Sequence, residues 1–201
     1  MGMMLPGGAC VPAVMADRLR QAEASGARAV AMAKEKLTPD KIMTVEAFEN
    51  ALRVLFAVGG STNAIVHLTA MAGRLGIKLD LEAFDKMGRE TPVLVDLKPT
   101  GQGYMEDLYK AGGLATILRE IKHQMNLKAL TVTGRTLGEE LAEATPAWDQ
   151  QVVRKFKDPV FAGGSIAVLR GNLAPGGAII KQAAMDPKLT KHEGRAVVFE
   201  S

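Results

Sequence analysis

A pair of glycines set between two helical apolar stripes constrains this chain more than any other feature. Upstream, Val45, Phe48, Leu52, Leu55 and Phe56 recur at three- and four-residue steps, the spacing of one buried helix face. Downstream, Ile65, Leu68, Ala72 and Leu75 repeat it. Between them, Ala57-Val58-Gly59-Gly60-Ser61-Thr62-Asn63 reads as a helix end, a break, and a second helix starting on Ser61 or Thr62. Glycine reaches backbone dihedrals that other residues resist, and a Ser or Thr hydroxyl accepts from the orphan N–H groups of a first helical turn. Free N–H groups and the positive end of the helix dipole then make a seat for a carboxylate or phosphate. The same residues also fit a plain helix cap inside an apolar bundle.

The segments on either side are punctuated as sharply. After Pro6-Gly7-Gly8, Pro12 can sit in the first turn of a long helix running toward Lys36, built from strong helix formers. Thr44 caps the helix that carries the first stripe, and Gly76 ends the helix that carries the second. Asp80 caps a short helix with Leu81, Phe84 and Met87 on one side. Residues 91–97 read as a buried strand leading into a flexible loop over 98–103. A helix starts at Met105 and is interrupted at Gly112-Gly113, after which Leu114, Ile117, Leu118 and Ile121 resume the stripe.

Around residues 125–128 the character changes. Residues 129–133 predict a strand, and Thr136-Leu137-Gly138-Glu139 matches a capping box. Short β-rich runs follow over 152–156, 165–170, 178–183 and 195–200, with Pro175-Gly176-Gly177 between two of them. Strands spaced this tightly predict a barrel or compact sheet rather than helix-linked units. The reading is α/β, with a boundary near residue 126 and no internal repeat.

Charge and cysteine content exclude several classes. Basic and acidic residues, 25 and 22, are well mixed and leave a net charge of +3. The local excess at Lys181, Lys188, Lys191, His192 and Arg195 carries no interleaved aromatics, so it reads as a solvated face and not as a nucleic-acid surface. No apolar run approaches the ~20 residues of a membrane helix, and the N-terminus lacks the pattern of a secretory signal. The abrupt apolar start and the strand-like finish at Val197-Val198-Phe199 read as cuts through a longer protein. With Cys10 as the sole cysteine, no intrachain disulfide can form, which fits a reducing, cytoplasmic setting.

Catalytic patterns are sparse. His67, His123 and His192 stand apart, no HExxH motif occurs, and Cys10 has no neighbouring base. Glu106 and Asp107 suit the dipole at a helix start, although acid–base work is open to them. The glycine loops at Gly163-Gly164-Ser165 and Gly171–Gly177 match neither a dinucleotide nor a Walker pattern.

Seven motifs, in order, carry a resemblance. They are Leu5-Pro6-Gly7, Ala47-Phe48-Glu49-Asn50-Ala51, Gly59-Gly60-Ser61-Thr62-Asn63-Ala64, Asp96-Leu97-Lys98-Pro99-Thr100-Gly101, Tyr104-Met105-Glu106-Asp107-Leu108, Leu130-Thr131-Val132-Thr133-Gly134 and Ala167-Val168-Leu169-Arg170-Gly171-Asn172-Leu173-Ala174-Pro175. Together they resemble the dihydroxy-acid and sugar-acid dehydratases over essentially the whole chain. Residues 186–200, from Asp186-Pro187-Lys188-Leu189 to Phe199-Glu200, are more similar to the aldonic-acid branch.

The resemblance implies removal of water from a 2,3-dihydroxy carboxylate to give a 2-keto-3-deoxy acid, assisted by an iron–sulfur cluster and Mg²⁺. It also implies an α/β domain, here residues 1–125, followed by a β-barrel-like swivel domain, here 126–201 and truncated. Subunits would pair as a homodimer or homotetramer when full length, with a small-molecule carboxylate as substrate and no nucleic-acid or membrane partner. The cluster cysteines and the Mg²⁺ and base residues of such enzymes fall outside residues 1–201, so no metal ligand or catalytic residue is expected within them. The fragment alone is expected to be inactive. Ser61, Thr62 and Asn63 remain the expected substrate contacts. An aldonate such as arabinonate or xylonate is the favoured substrate. The rival readings are a dihydroxy-acid dehydratase of branched-chain amino-acid synthesis and a non-catalytic module of the same fold.

Overall fold

The structure is a computed structural model and describes residues 1–145, 147, 149–182 and 185–199. Its spine is helix α3 (Val45–Ala57), which the Thr44 hydroxyl caps by accepting from the Ala47 N–H at 3.4 Å. One face of α3, through Phe48, Leu52, Leu55 and Phe56, packs on Ile65, Leu68 and Ala72 of α4 (Asn63–Arg74) and on Phe84 of α5 (Leu81–Glu90). The end of α3, at Ala57, meets a second cluster with Leu94, Val95 and Val153. Leu108 of α6 (Met105–Lys110) and Ile117 and Ile121 of α7 (Gly113–Ile121) complete that cluster. Of the first stripe only Val45 departs from expectation. It occupies the first helical position, outside the cluster, and is 48% exposed.

Several local signals act as read. The Asp80 carboxylate accepts from the Ala83 N–H at 2.8 Å and starts α5. At the far end of α4, Gly76 takes φ 72° and the Ile77 N–H reaches the Ala72 carbonyl at 2.9 Å. Thr136 and Glu139 form the full capping box of α8 (Leu137–Glu143). The long first helix differs. Pro12 opens a turn, its carbonyl accepting from the Met15 N–H at 3.1 Å, and α1 runs only over Ala16–Glu35. A short α2 (Pro39–Ile42) links α1 to the body.

The strands fall short of expectation for a shared physical reason: an extended segment becomes a strand only where a partner runs alongside it. Residues 91–95 are extended and buried, yet they bond at isolated bridges, Val93 to Phe161 and Val95 to Val153. Residues 129–133 make no strand. Leu130 bridges Thr136 once and the chain then turns, because the Thr131 and Thr133 hydroxyls both donate to Glu140 Oε1 at 2.6 Å. Beyond residue 150, β1 (Ile166–Leu169) and β2 (Ala178–Lys181) pair antiparallel, with Ile166 opposite Lys181 and Leu169 opposite Ala178.

Val153 contributes one bridge, and residues 195–199 form no strand among the described residues. The expected strand ends at Ala183 and Glu200 lie outside the described residues. A two-stranded ribbon cannot close, so no swivel barrel stands among the described residues. The observed architecture is helix-rich with a small two-stranded sheet, as a portion of an α/β fold would be. Ile166 of β1 joins the α3–α4–α5 core, and the approach is close enough that a Cβ on Gly164 would stand 2.4 Å from the Gly88 carbonyl oxygen. No helix among the described residues is long and apolar enough to cross a membrane.

Candidate functional site

The glycine break is a tight, fully bonded reversal. Gly59 lies in the left-handed region at φ 66°, with its N–H on the Phe56 carbonyl at 3.1 Å, and the Gly60 N–H reaches the Leu55 carbonyl at 2.9 Å. The Ser61 hydroxyl then accepts from the Asn63 N–H at 3.2 Å, while the Thr62 side chain makes no capping bond. Backbone bonds also take the Ala64 N–H, to the Ser61 carbonyl at 3.0 Å, and the Ile65 N–H, to the Thr62 carbonyl at 3.1 Å. The seat expected from the sequence is therefore partly filled from within. What this helix end offers an anion is its dipole and the side chains of Ser61, Thr62 and Asn63, of which Ser61 and Asn63 are exposed and Thr62 half-buried.

The fold brings a second loop against this break. Gly59 lies beside residues 93 and 100: a Cβ there would sit at ordinary contact distance, 3.5 Å, from both the Thr100 hydroxyl and a Val93 methyl. The Thr100 hydroxyl oxygen is buried and has no hydrogen-bond partner among the described residues. Its loop is pinned by the Asp96 carboxylate, which accepts from the Gln102 N–H at 2.7 Å, and it contains a cis Lys98–Pro99 bond. Lys98 donates to the Tyr104 hydroxyl and stands 4.1 Å over the ring of the same tyrosine. Thr100 and Lys98 were present in the sequence only as members of a loop motif. Nothing local announces that Thr100 meets Gly59.

The other candidates have structural duties. Asp107 accepts from the Tyr104 N–H at 2.7 Å and holds the first turn of α6, while Glu106 pairs with Lys110 at 2.7 Å. His123 packs edge-on against Phe156 with ring centres 4.5 Å apart, and His67 and His192 are exposed. Cys10 is part-buried beside Leu114, and burial pushes its thiol pKa up, outweighing a backbone hydrogen bond that pulls it down. A cavity of about 420 Å³ lies elsewhere, between residues 1–9, α3, α7 and α8. Its lining is mostly apolar, and its polar members Asn50 and Glu140 already bond to Asn126 and to Thr131 and Thr133.

Comparison with known proteins decides the family. Residues 1–140 match the family model described as dihydroxy-acid/6-phosphogluconate dehydratase N-terminal, and residues 151–201 match its C-terminal counterpart. The chain belongs to this dehydratase family. Among its relatives, an L-arabonate dehydratase of Azospirillum brasilense is 49% identical over the whole of this chain and 35% of that protein. A dihydroxy-acid dehydratase of Methanosarcina barkeri is 45% identical, over the whole chain and 37% of that protein. An L-arabinonate dehydratase of Rhizobium leguminosarum bv. trifolii is also 45% identical, over the whole chain and 35% of its own length. The chain thus spans about a third of the length of the curated relatives it matches.

The residues present do not fit the metal groups that the family resemblance implies. An iron–sulfur cluster is held chiefly by cysteine thiolates, and this chain has only Cys10, part-buried with a raised thiol pKa. Among the described residues no three His, Cys, Asp or Glu side chains gather where a metal ion could sit.

Proposed function

We propose that residues 1–201 form part of a hydro-lyase that removes water from a sugar acid, an aldonate such as arabinonate or xylonate, to give the 2-keto-3-deoxy acid. The observation that carries this reading is the end-to-end likeness, at 49% identity, to a protein named L-arabonate dehydratase. The relatives at 45% named dihydroxy-acid dehydratase favour a second reading, a branched-chain dihydroxy acid as substrate. Both substrates are 2,3-dihydroxy carboxylates, so the two readings share one demand on this chain: to hold a carboxylate. Within it, the N-terminal end of α4 suits that task, with Ser61, Thr62 and Asn63 toward the ligand and the buried, unpartnered Thr100 hydroxyl beside the same break.

The rest of this reading follows the resemblance. Any iron–sulfur cluster and Mg²⁺ are held by residues outside 1–201. The α/β and swivel portions meet near residue 126, the full-length subunits pair as a homodimer or homotetramer, and the setting is cytoplasmic. Assay of the full-length protein on arabinonate and xylonate against 2,3-dihydroxyisovalerate separates the substrates. Thr62→Ala is the cleaner probe of the site because the Thr62 side chain caps nothing. Losing one hydrogen bond to a charged group raises KM about tenfold. An unchanged KM would remove Thr62 from the site.

A further inference from the structure

Helix α1 is turned inside out. Its twenty residues are all described and none is buried. The face that meets the body bonds through polar side chains, with Ala31 and Met32 half-buried beside them: Asp17 accepts from the Tyr109 hydroxyl, Gln21 donates to the Pro6 carbonyl at 3.1 Å, and Arg28 donates to the Val132 carbonyl at 2.5 Å. Arg28 also pairs with Glu35 at 2.6 Å. The opposite face carries Leu19, Ala22, Gly26, Ala29, Val30 and Ala33, at three- and four-residue steps and all exposed, with Leu19 at 76% and Val30 at 58%. A helix in water draws most of its stability from an apolar face packed against something, and here that face points to solvent.

We propose that this outward face of α1 is covered in the full-length protein by a helix from the same polypeptide, outside residues 1–201. The small residues at 22, 26, 29 and 33 let a second helix lie close, with Leu19 and Val30 filling the groove on either side. The area argues for a tethered occupant. A helix of twenty residues is about 30 Å long. One stripe on it is far smaller than the ~800 Å² per partner that a stable free complex buries. The stripe alone would therefore hold a second copy of α1 or a separate protein poorly, whereas covalent attachment supplies a high effective concentration, and a copy held by subunit contacts elsewhere is distinguished by cross-linking. The chain to supply it exists in the relatives, since residues 1–201 match only 35% of the L-arabonate dehydratase.

Carbene footprinting of the native full-length protein tests this, with the unfolded protein as the reference for full labelling. Left bare at 76% exposure, Leu19 would keep about three-quarters of the unfolded labelling; covered to about a tenth exposed, it falls roughly sevenfold below that, and Val30 falls in parallel. Labelling of both residues near the unfolded level would overturn the proposal. So would protection that disappears on dilution. Cross-linking from Lys34 in a mixture of isotopically heavy and light protein covers a tight oligomer: heavy–light products at α1 would assign the face to a second copy and defeat the proposal. Products within one polypeptide, joining α1 to sequence outside 1–201, are the expected result.

Discussion

Replacing Gly59 by alanine separates backbone strain from crowding at the turn that aims α4. At φ 66° an L-residue is strained by about 1–2 kcal/mol, while the loss of glycine's freedom in the unfolded chain returns about 0.4–1 kcal/mol. The added Cβ meets Thr100 and Val93 at 3.5 Å, ordinary contact distance, so sterics add nothing. The net expectation is a loss of about 1 kcal/mol, and Gly59→Asn should recover part of it, because asparagine visits the left-handed region more readily. Gly60→Ala fails for a different reason. Its Cβ would fall 2.2 Å from Leu55 Cδ1 and 3.0 Å from the Leu55 carbonyl oxygen, and Leu55 is locked in the core. Overpacking of that kind costs about 1–3 kcal/mol, and asparagine brings no relief there. Urea unfolding followed by circular dichroism reads all four variants, with an unchanged m-value expected and a melting shift of about 2–4 °C per kcal/mol for a chain of this size. A Gly59→Ala protein as stable as the wild type, or Gly60→Asn milder than Gly60→Ala, would refute this account of the turn.

Two other outcomes are expected. Thr136→Ala removes the capping box of α8 and should lower stability by about 0.5–2 kcal/mol in the same unfolding assay. The Thr136 N–H and hydroxyl hold the Glu139 carboxyl below the usual glutamate range, so its contribution is complete above that range and fades as pH falls through the lowered value. In thermal melts the gap between wild type and Glu139→Ala should therefore be widest at neutral pH and narrow in acid; a gap that widens in acid would contradict this. For Cys10, burial raises the thiol pKa, so iodoacetamide should modify it more slowly than it does a small free thiol at mildly alkaline pH. Faster modification would show an activated thiol where the packing indicates an inert one.

The local features of this protein were legible in its sequence. Thr44, Asp80 and Thr136 each cap a helix because a short polar side chain reaches the N–H group three residues on. The apolar stripes of α3 and α4 are buried because helical periodicity decides which side chains share a face. Of the candidate site, the Ser61 start of α4 was readable on the same ground. Strands and loop contacts were a different matter. Residues 91–95 and 129–133 look alike as sequence. The first is buried between bridging partners, while the second turns away because Glu140 captures two of its threonine hydroxyls. Thr100 sits against Gly59, and α1 presents its polar face inward, through contacts between residues far apart in the chain. Periodicity and capping act within a turn or two and belong to the sequence itself. Pairing, burial of a lone hydroxyl and the facing of a whole helix depend on which distant segment arrives alongside, and that only the tertiary structure decided.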